Sequence, residues 1–119
     1  MHPQLMLLLE LQDLRSQREA LESESDIEQV ETEHFNIDTN EALEELDRKI
    51  SELEDDLEDQ VRTRYDRVRK SMERVVVPVI NGACYGCFVT IPTATYKDHD
   101  PNDEVRACQH CGRFIYVLT

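Results

Sequence analysis

Four cysteines give this sequence its clearest chemistry. They form two pairs, Cys84-Tyr-Gly-Cys87 and Cys108-Gln-His-Cys111, which are separated by twenty residues. A two-residue spacer lets both thiolates of a pair hold one ion from a tight turn, and two such pairs are typical of four-cysteine zinc sites. Soft thiolates in a tetrahedral array favour zinc, and four of them leave no coordination position open for water. We therefore expect one structural Zn²⁺, held by Cys84, Cys87, Cys108 and Cys111.

A redox-active cysteine pair is the alternative interpretation of each motif. Such pairs occur singly and within an alternating strand–helix–strand pattern, which this sequence lacks. His110 lies inside the second pair, but four cysteines already complete the coordination of the ion. No serine, cysteine or carboxylate pair is spaced with a base in a recognisable catalytic arrangement. We predict that the chain is not an enzyme and takes no small-molecule substrate.

The composition also excludes several classes of protein. The chain has 119 residues, of which 33% are charged and 6% aromatic, and its formal net charge is -13 at pH 7. These proportions cannot fill a large core around a deep pocket. The longest early apolar run, Leu5–Leu9, is far shorter than the roughly 18 residues of a membrane span, and it is too short for a signal peptide. We expect a cytoplasmic protein with no membrane partner.

Glycine and proline divide the chain into two modules. Residues 4–77 contain neither, whereas Pro78 opens a region with β-branched runs, turn dipeptides and every cysteine. A long segment without a strong helix stop favours helical structure. We place an acidic helical module at residues 1–76 and a zinc-binding module at residues 77–119.

The apolar spacing of the first module predicts a coiled coil, because apolar residues recur at intervals of three and four. Val61 and Tyr65 then follow at two successive steps of four, a stutter that should unwind the supercoil locally. The positions before the stutter are Leu7, Leu11, Leu14 and Leu21 in the first half and Leu43, Leu46, Ile50, Leu53 and Leu57 in the second.

Residues 34–40 interrupt this pattern and are poor in helix formers. Asp38 and Glu41 have the spacing of a capping box, which predicts the start of a new helix. We therefore expect helices over residues 4–32 and 39–74, folded back as an antiparallel coiled-coil hairpin. The alternative is one continuous helix that dimerises in parallel, but it would place the acidic middles of two chains side by side.

Three short β-branched segments flank the cysteine pairs, at residues 75–80, 104–107 and 114–117. Their composition predicts strands. With the two metal-binding turns they would form a small three-stranded zinc ribbon, so the fold class is α+β. The apolar content is small, and bound zinc, which contributes about 10–16 kcal/mol in small modules, should supply most of the stability.

Charge is segregated along the chain. Residues 22–47, which we call the acidic tip, hold eleven Asp and Glu and no Lys or Arg. A long hairpin with carboxylates at its end resembles factors that enter the secondary channel of RNA polymerase. The alternative is that Asp38 and Glu41 cap a helix while the other acids keep the module soluble. The candidate partner-binding residues of the tip are Phe35, Asp38, Glu41 and Glu44.

Residues 62–74, which we call the basic neck, carry the opposite charge. Arginine and lysine beside a zinc ribbon can follow the phosphates of a nucleic acid or meet an acidic protein surface. The alternative is a solvated helix face with some bridges to Glu10 and Asp13. The candidate binding residues of the neck are Arg62, Arg64, Arg67, Arg69 and Lys70.

The zinc module resembles the bacterial C4-type zinc ribbon proteins. The resemblance is carried by E-R-V-V-V-P-V-I-N-G-A-C-Y-G-C, then T-I-P, then C-Q-H-C-G-R-F-I-Y. Members of that family join an N-terminal coiled-coil hairpin to a C-terminal ribbon whose cysteines bind zinc, which implies the same role for the four cysteines here. They are regarded as binding or adaptor proteins, some of them tied to transcription through an alternative sigma factor and to RNA. The hairpin here is shorter, and Ile91-Pro-Thr-Ala-Thr-Tyr-Lys97 replaces a longer helical insert.

Three functions follow from these features. We favour a zinc-binding adaptor that regulates transcription by docking on RNA polymerase or a sigma factor. The alternative is an RNA- or DNA-binding protein that uses the basic neck beside the ribbon. A structural spacer that self-associates through its apolar seam is the third hypothesis.

Overall fold

Three helices and one small sheet make up the described part of the chain. The computed structural model describes the backbone of residues 1–28, 33–92 and 101–118, and the side chains of residues 1–23, 40–92 and 101–118. This architecture confirms the predicted α+β class. The elements are α1 (Pro3–Glu28), α2 (Glu33–Asp55), α3 (Asp59–Arg69), β1 (Val76–Ile80), β2 (Ala83–Cys84), β3 (Arg106–Ala107) and β4 (Phe114–Val117).

The chain forms two compact units. Residues 10–56 make up one, which we call the helical unit, and residues 1–9 with 57–119 make up the other, which we call the ribbon unit. This division by contacts differs from the predicted boundary between residues 76 and 77. It differs because α3 and the first turns of α1 pack with the residues of the ribbon. None of the described helices is long and apolar enough to cross a membrane.

Ion pairs between described side chains join α1 to α2 in the helical unit. Arg15 Nη2 lies 2.8 Å from Glu54 Oε2, and Arg18 pairs with Asp47 further along. The pair that lies later in α1 uses the residue that lies earlier in α2, so these helices are antiparallel. Leu11 and Ile50 of the predicted seam are buried. The remaining predicted seam residues of this unit are half-buried: Leu14, Leu21, Leu43, Leu46 and Leu53.

The predicted helix over residues 39–74 is wrong at both ends and in the middle. α2 begins at Glu33 rather than at residue 39, and Asp38 lies inside it instead of capping it. No Gly or Pro occurs in residues 33–39, so their modest helix propensity is enough for the helix to continue. α3 ends at Arg69, and the residues up to 74 are not helical. The predicted end of the first helix, at residue 32, lies outside the described residues.

A break between α2 and α3 falls where the sequence has its stutter. The N–H of Asp56 donates to the carbonyl of Leu53 at 3.1 Å, and Glu58 is extended, with φ -64° and ψ 150°. Five of the six residues 54–59 are acidic, so a continuous helix would place like charges one turn apart. The N–H of Glu58 donates instead to Oε1 of Gln4, at 2.8 Å, and Gln4 is 8% exposed. This bond replaces the helical bond lost at the break.

The sheet of the ribbon unit has four strands in the order β2-β1-β4-β3, one more than predicted. β1 pairs antiparallel with β2 through Asn81-Gly82, both at positive φ, and it pairs parallel with β4. β3 pairs antiparallel with β4. The additional strand, β2, has only two residues, but Asn-Gly is a strong hairpin signal that could have found it. The core of the sheet is formed by Val77, Val79, Cys84, Ile91, Cys108 and Ile115.

Candidate metal centre

The four cysteines converge on one point. Cys84 ends β2 and Cys87 follows in the turn, while Cys108 follows β3 and Cys111 precedes β4. All four Sγ atoms lie within 4.8 Å of one another. The Cys84–Cys111 and Cys87–Cys108 Sγ distances are 3.9 and 3.7 Å. A tetrahedron with Zn–S bonds of about 2.3 Å has sulfurs about 3.8 Å apart, so the spacing fits one zinc ion.

The two cysteine pairs sit in turns with the same backbone hydrogen bonds. In the first turn, Phe88 N–H donates to Cys84 O at 2.6 Å, and Cys84 N–H donates to Val89 O at 3.0 Å. In the second, Gly112 N–H donates to Cys108 O at 2.9 Å, and Cys108 N–H donates to Arg113 O at 2.8 Å. Each turn thus presents two sulfurs from a backbone that hydrogen bonds hold at both ends.

Gly86 leaves room for a neighbouring arginine. A Cβ on Gly86 would lie 3.1 Å from Arg113 Cδ and 3.2 Å from Val77 Cγ2, with the Arg113 guanidinium closer still. The Arg113 Nε–H donates to Met72 Sδ at 2.9 Å, which holds the arginine over the first turn. A larger residue at Gly86 would have to displace the Arg113 side chain from this position.

The thiols cannot all ionise without a cation among them. Burial raises the pKa of Cys84, and burial together with the neighbouring thiols raises the pKa of Cys111 to about 12. Burial also opposes ionisation of Cys108, but the N–H groups of Cys111 and His110 and the adjoining thiols outweigh it, so its pKa falls to about 7. Like charges this close repel one another, and a bound dication removes that repulsion.

The geometry makes this a structural metal site. Cys84 and Cys108 are buried, and Cys87 and Cys111 are half-buried. Four sulfurs occupy all four tetrahedral positions, so the ion has no place for a substrate or a reactive water. Among the residues whose side chains are described, these cysteines are the one group of three or more His, Cys, Asp or Glu whose ligand atoms lie close enough together to hold a metal ion.

The residues of the basic neck do not share one face. Arg62 and Arg69 both lie near Asp66, at 3.9 and 4.0 Å, on one side of α3. Arg64 and Arg67 project to the opposite side, because a helix turns about 100° per residue. Arg64 Nη1 donates to the carbonyl of Gly112 at 3.4 Å, beside the second metal-binding turn. Arg67 and Lys70 are exposed.

The candidate residues of the acidic tip are only partly described. The backbone of Phe35 and Asp38 lies in α2, but their side chains lie outside the described residues. Glu41 and Glu44 are exposed on α2. These two residues are three apart and therefore neighbours on the helix surface.

Residues 83–115 match the family model of the C4-type zinc ribbon domain. The matched segment contains all four cysteines, so the resemblance noted in the sequence is confirmed for the ribbon, and one structural zinc fits its site. The structure of CT398 from Chlamydia trachomatis is similar, with a TM-score of 0.55 and 25% sequence identity. The similarity covers 82% of this chain and 44% of that one, so this chain spans less than half the length of CT398. A search of curated proteins finds no match to this chain.

The sequence pattern did not point to two residues that lie beside the metal site, Phe88 and Arg113. Phe88 has φ 62° and occupies the same position of its turn as Gly112, which has φ 80°. Arg113 lies over Gly86. Aligning the two C-x-x-C motifs with each other would have paired Phe88 with Gly112 and drawn attention to Phe88.

Proposed function

We propose that this chain is a non-enzymatic, zinc-stabilised interaction protein that regulates transcription by docking on RNA polymerase or a sigma factor. The closed four-sulfur site is the observation that carries the proposal. Because the ion has no open position, its role is to fix a small ribbon whose surface is then available to a partner. The sequence resemblance to adaptor proteins of transcription supports the choice of partner.

One cavity of the ribbon unit is lined by residues of α3, β3 and the segment before β3. Its volume is about 560 Å³, it is open to solvent, and charges of both signs line it, including Arg64, Arg106, Glu58 and Glu104. No Ser, Thr or Cys belongs to this lining. His2 also lines the cavity, but its Nδ1 accepts the N–H of Gln4 at 3.1 Å. The cavity therefore lacks a nucleophile paired with a base.

A pull-down of the zinc-loaded chain from native lysate tests the proposal. We expect mass spectrometry to identify polymerase subunits or a sigma factor, and we expect them to persist after nuclease treatment. Recovery that disappears entirely with nuclease would reject docking on these proteins. A chain with Cys108→Ser serves as the control, because it lacks the zinc-dependent fold of the ribbon.

Nucleic-acid binding through the basic neck is the second candidate function. Arg67 and Lys70 are exposed, and Arg64 lies beside the second metal-binding turn. Binding through these residues would weaken steeply with salt as counterions are released. Arg67→Glu with Lys70→Glu should then abolish binding to single-stranded RNA and DNA, whereas Lys49→Glu, an exposed lysine of the helical unit, should not. Equal effects of the two changes would reject the neck as the binding surface.

A further inference from the structure

The first metal-binding turn carries a residue that its backbone does not favour. The two turns have matching hydrogen bonds, and the residue after each cysteine pair is left-handed. Gly112 fills this position in the second turn, where glycine adopts a positive φ without steric strain. Phe88 fills it in the first turn, at φ 62°. A bulky side chain in this region is strained, and such strain concentrates at functional positions.

Burial does not compensate for the strain at Phe88. Its side chain is 72% exposed, and its ring meets that of Tyr85, which is 46% exposed, at a centroid distance of 5.6 Å. Val89 follows and is 36% exposed. We call these three residues the aromatic patch. Because Phe88 N–H donates to Cys84 O, the metal-binding turn holds the backbone of Phe88 in place before any partner arrives, which lowers the entropic cost of binding.

One cation, Arg113, lies beside the patch. The Arg113 guanidinium lies against Gly86, next to Tyr85 in the chain. Residues 75–92 and 105–118, which contain the described strands and turns of the ribbon, hold two arginines and no Asp or Glu. One of these arginines, Arg106, pairs with Glu104 at 3.6 Å, which leaves Arg113 as the cation beside the patch. A partner surface that complements this region therefore has acidic groups around an apolar centre.

We propose that Tyr85, Phe88 and Val89 are an anchor that inserts into an apolar, carboxylate-rimmed pocket of a protein partner. This rests on the proposed function and names the surface that performs it. Exposed aromatic residues in a rigid setting are the usual hot spots of protein interfaces.

The geometry favours a protein over a nucleic acid or a second copy. The two rings are tilted by 48° at 5.6 Å, so no base can stack between them, and Val89 offers no stacking face. The net charge of -13 opposes a polyanion. A symmetric dimer through this patch would bring together two surfaces that carry the same cation, Arg113.

Photo-crosslinking of the full chain in its host cells tests the anchor and identifies the partner in the same experiment. In one variant the photo-reactive residue p-benzoylphenylalanine replaces Phe88. In the control variant it replaces Met6, another exposed apolar residue. Adducts of position 88 with polymerase or a sigma factor would support both the anchor and the proposed function. Adducts with another protein would overturn the proposed function. They would still support the anchor if the crosslinked peptide is apolar with flanking acids and if Arg113→Glu removes the adduct. The anchor would be overturned by adducts with any other peptide, with nucleic acid alone or with a second copy of the chain. It would also be overturned if position 88 gave no adducts other than those that the Met6 control gives.

Affinity measurements with Phe88→Asn separate binding from folding. Asn tolerates a left-handed backbone, so this change should leave zinc stoichiometry and the circular dichroism spectrum unaltered. We expect binding to the crosslinked partner to weaken at least about tenfold, as for an aromatic hot spot, while Met6→Gln binds like the original chain. Unchanged affinity of Phe88→Asn would overturn the anchor.

Discussion

Protons and zinc compete for the same four sulfurs. In the metal-free site the pKa of Cys84 is raised and that of Cys111 reaches about 12, so both are protonated at neutral pH. Metal binding requires thiolates and must release these protons. A lower pH therefore weakens zinc binding, and with two or more protons released the affinity should fall about 100-fold or more per pH unit.

Competition with a chromophoric chelator measures this dependence. The affinity for Zn²⁺ should fall continuously from about pH 8 to about pH 6, with corrections for the chelator's own protonation. An affinity that does not change with pH would contradict a site built from thiols that are protonated without the metal.

The second metal-binding turn allows a test of backbone strain alone. A Cβ on Gly112 would meet no atom within 4 Å, so Gly112→Ala changes little besides the cost of φ 80°. We expect this change to destabilise the zinc-loaded ribbon by about 1–2 kcal/mol. Gly112→Asn is the matched control and should cost less, because Asn adopts this conformation more readily. Urea unfolding at a fixed free zinc concentration measures the free energy of unfolding of both variants. Equal losses of stability in Gly112→Ala and Gly112→Asn would contradict a cost that arises from the positive φ.

The metal ligands could be predicted from the sequence, whereas the residues around them could not. The C-x-x-C spacing alone brings two sulfurs to one side of a turn, so Cys84 and Cys87 were predictable as a ligand pair. The conformation of Phe88 depends on the hydrogen bonds that close its turn, and side-chain type alone would have argued against a positive φ. Arg113 reaches Gly86 across the fold, a contact that no local pattern encodes.

Between α2 and α3, one buried amide side chain supports the break. Gln4 Oε1 accepts the N–H of Glu58, so Gln4→Ala removes the partner that replaces a helical bond. We expect the ribbon unit to lose about 1 kcal/mol of stability or more, the value of a hydrogen bond plus some packing. Gln60→Ala, at an exposed position of α3, is the control and should change stability little. Equal losses in the two variants would show that the break does not depend on Gln4.

Element type was easier to predict than element ends. The helical module was predictable because residues 4–77 contain no Gly or Pro. The break at residues 56–58 was not, because it depends on an acidic run and on Gln4, which is distant in sequence. The stutter from Leu57 to Tyr65 indicated where the helical pattern changes. It did not show whether the supercoil only unwinds there or the helix itself ends.

Across the whole molecule, only the ribbon unit contains the metal site. Removing zinc, by chelation or by Cys108→Ser, should unfold the ribbon unit, including α3, because structural zinc contributes about 10–16 kcal/mol to such modules. The helical unit contains no metal ligand of this site and should keep its helical circular dichroism. Hydrogen exchange read by mass spectrometry would show protection lost in residues 57–92 and retained in residues 10–28. A Cys108→Ser chain that still bound one zinc with unchanged strands would contradict the four-ligand site.

The acidic tip and the aromatic patch belong to different units, so their contributions to docking can be separated. Glu41→Gln with Glu44→Gln removes two like charges that are neighbours on α2, and this should stabilise the helix by a few tenths of a kcal/mol. If the aromatic patch is the docking surface, the double variant should bind the partner with unchanged affinity, whereas Phe88→Asn should not. Glu10→Gln with Glu19→Gln, on exposed positions of α1 before the tip, controls for the change in net charge. Lost affinity in the Glu41 and Glu44 variant, but not in this control, would assign docking to the tip instead.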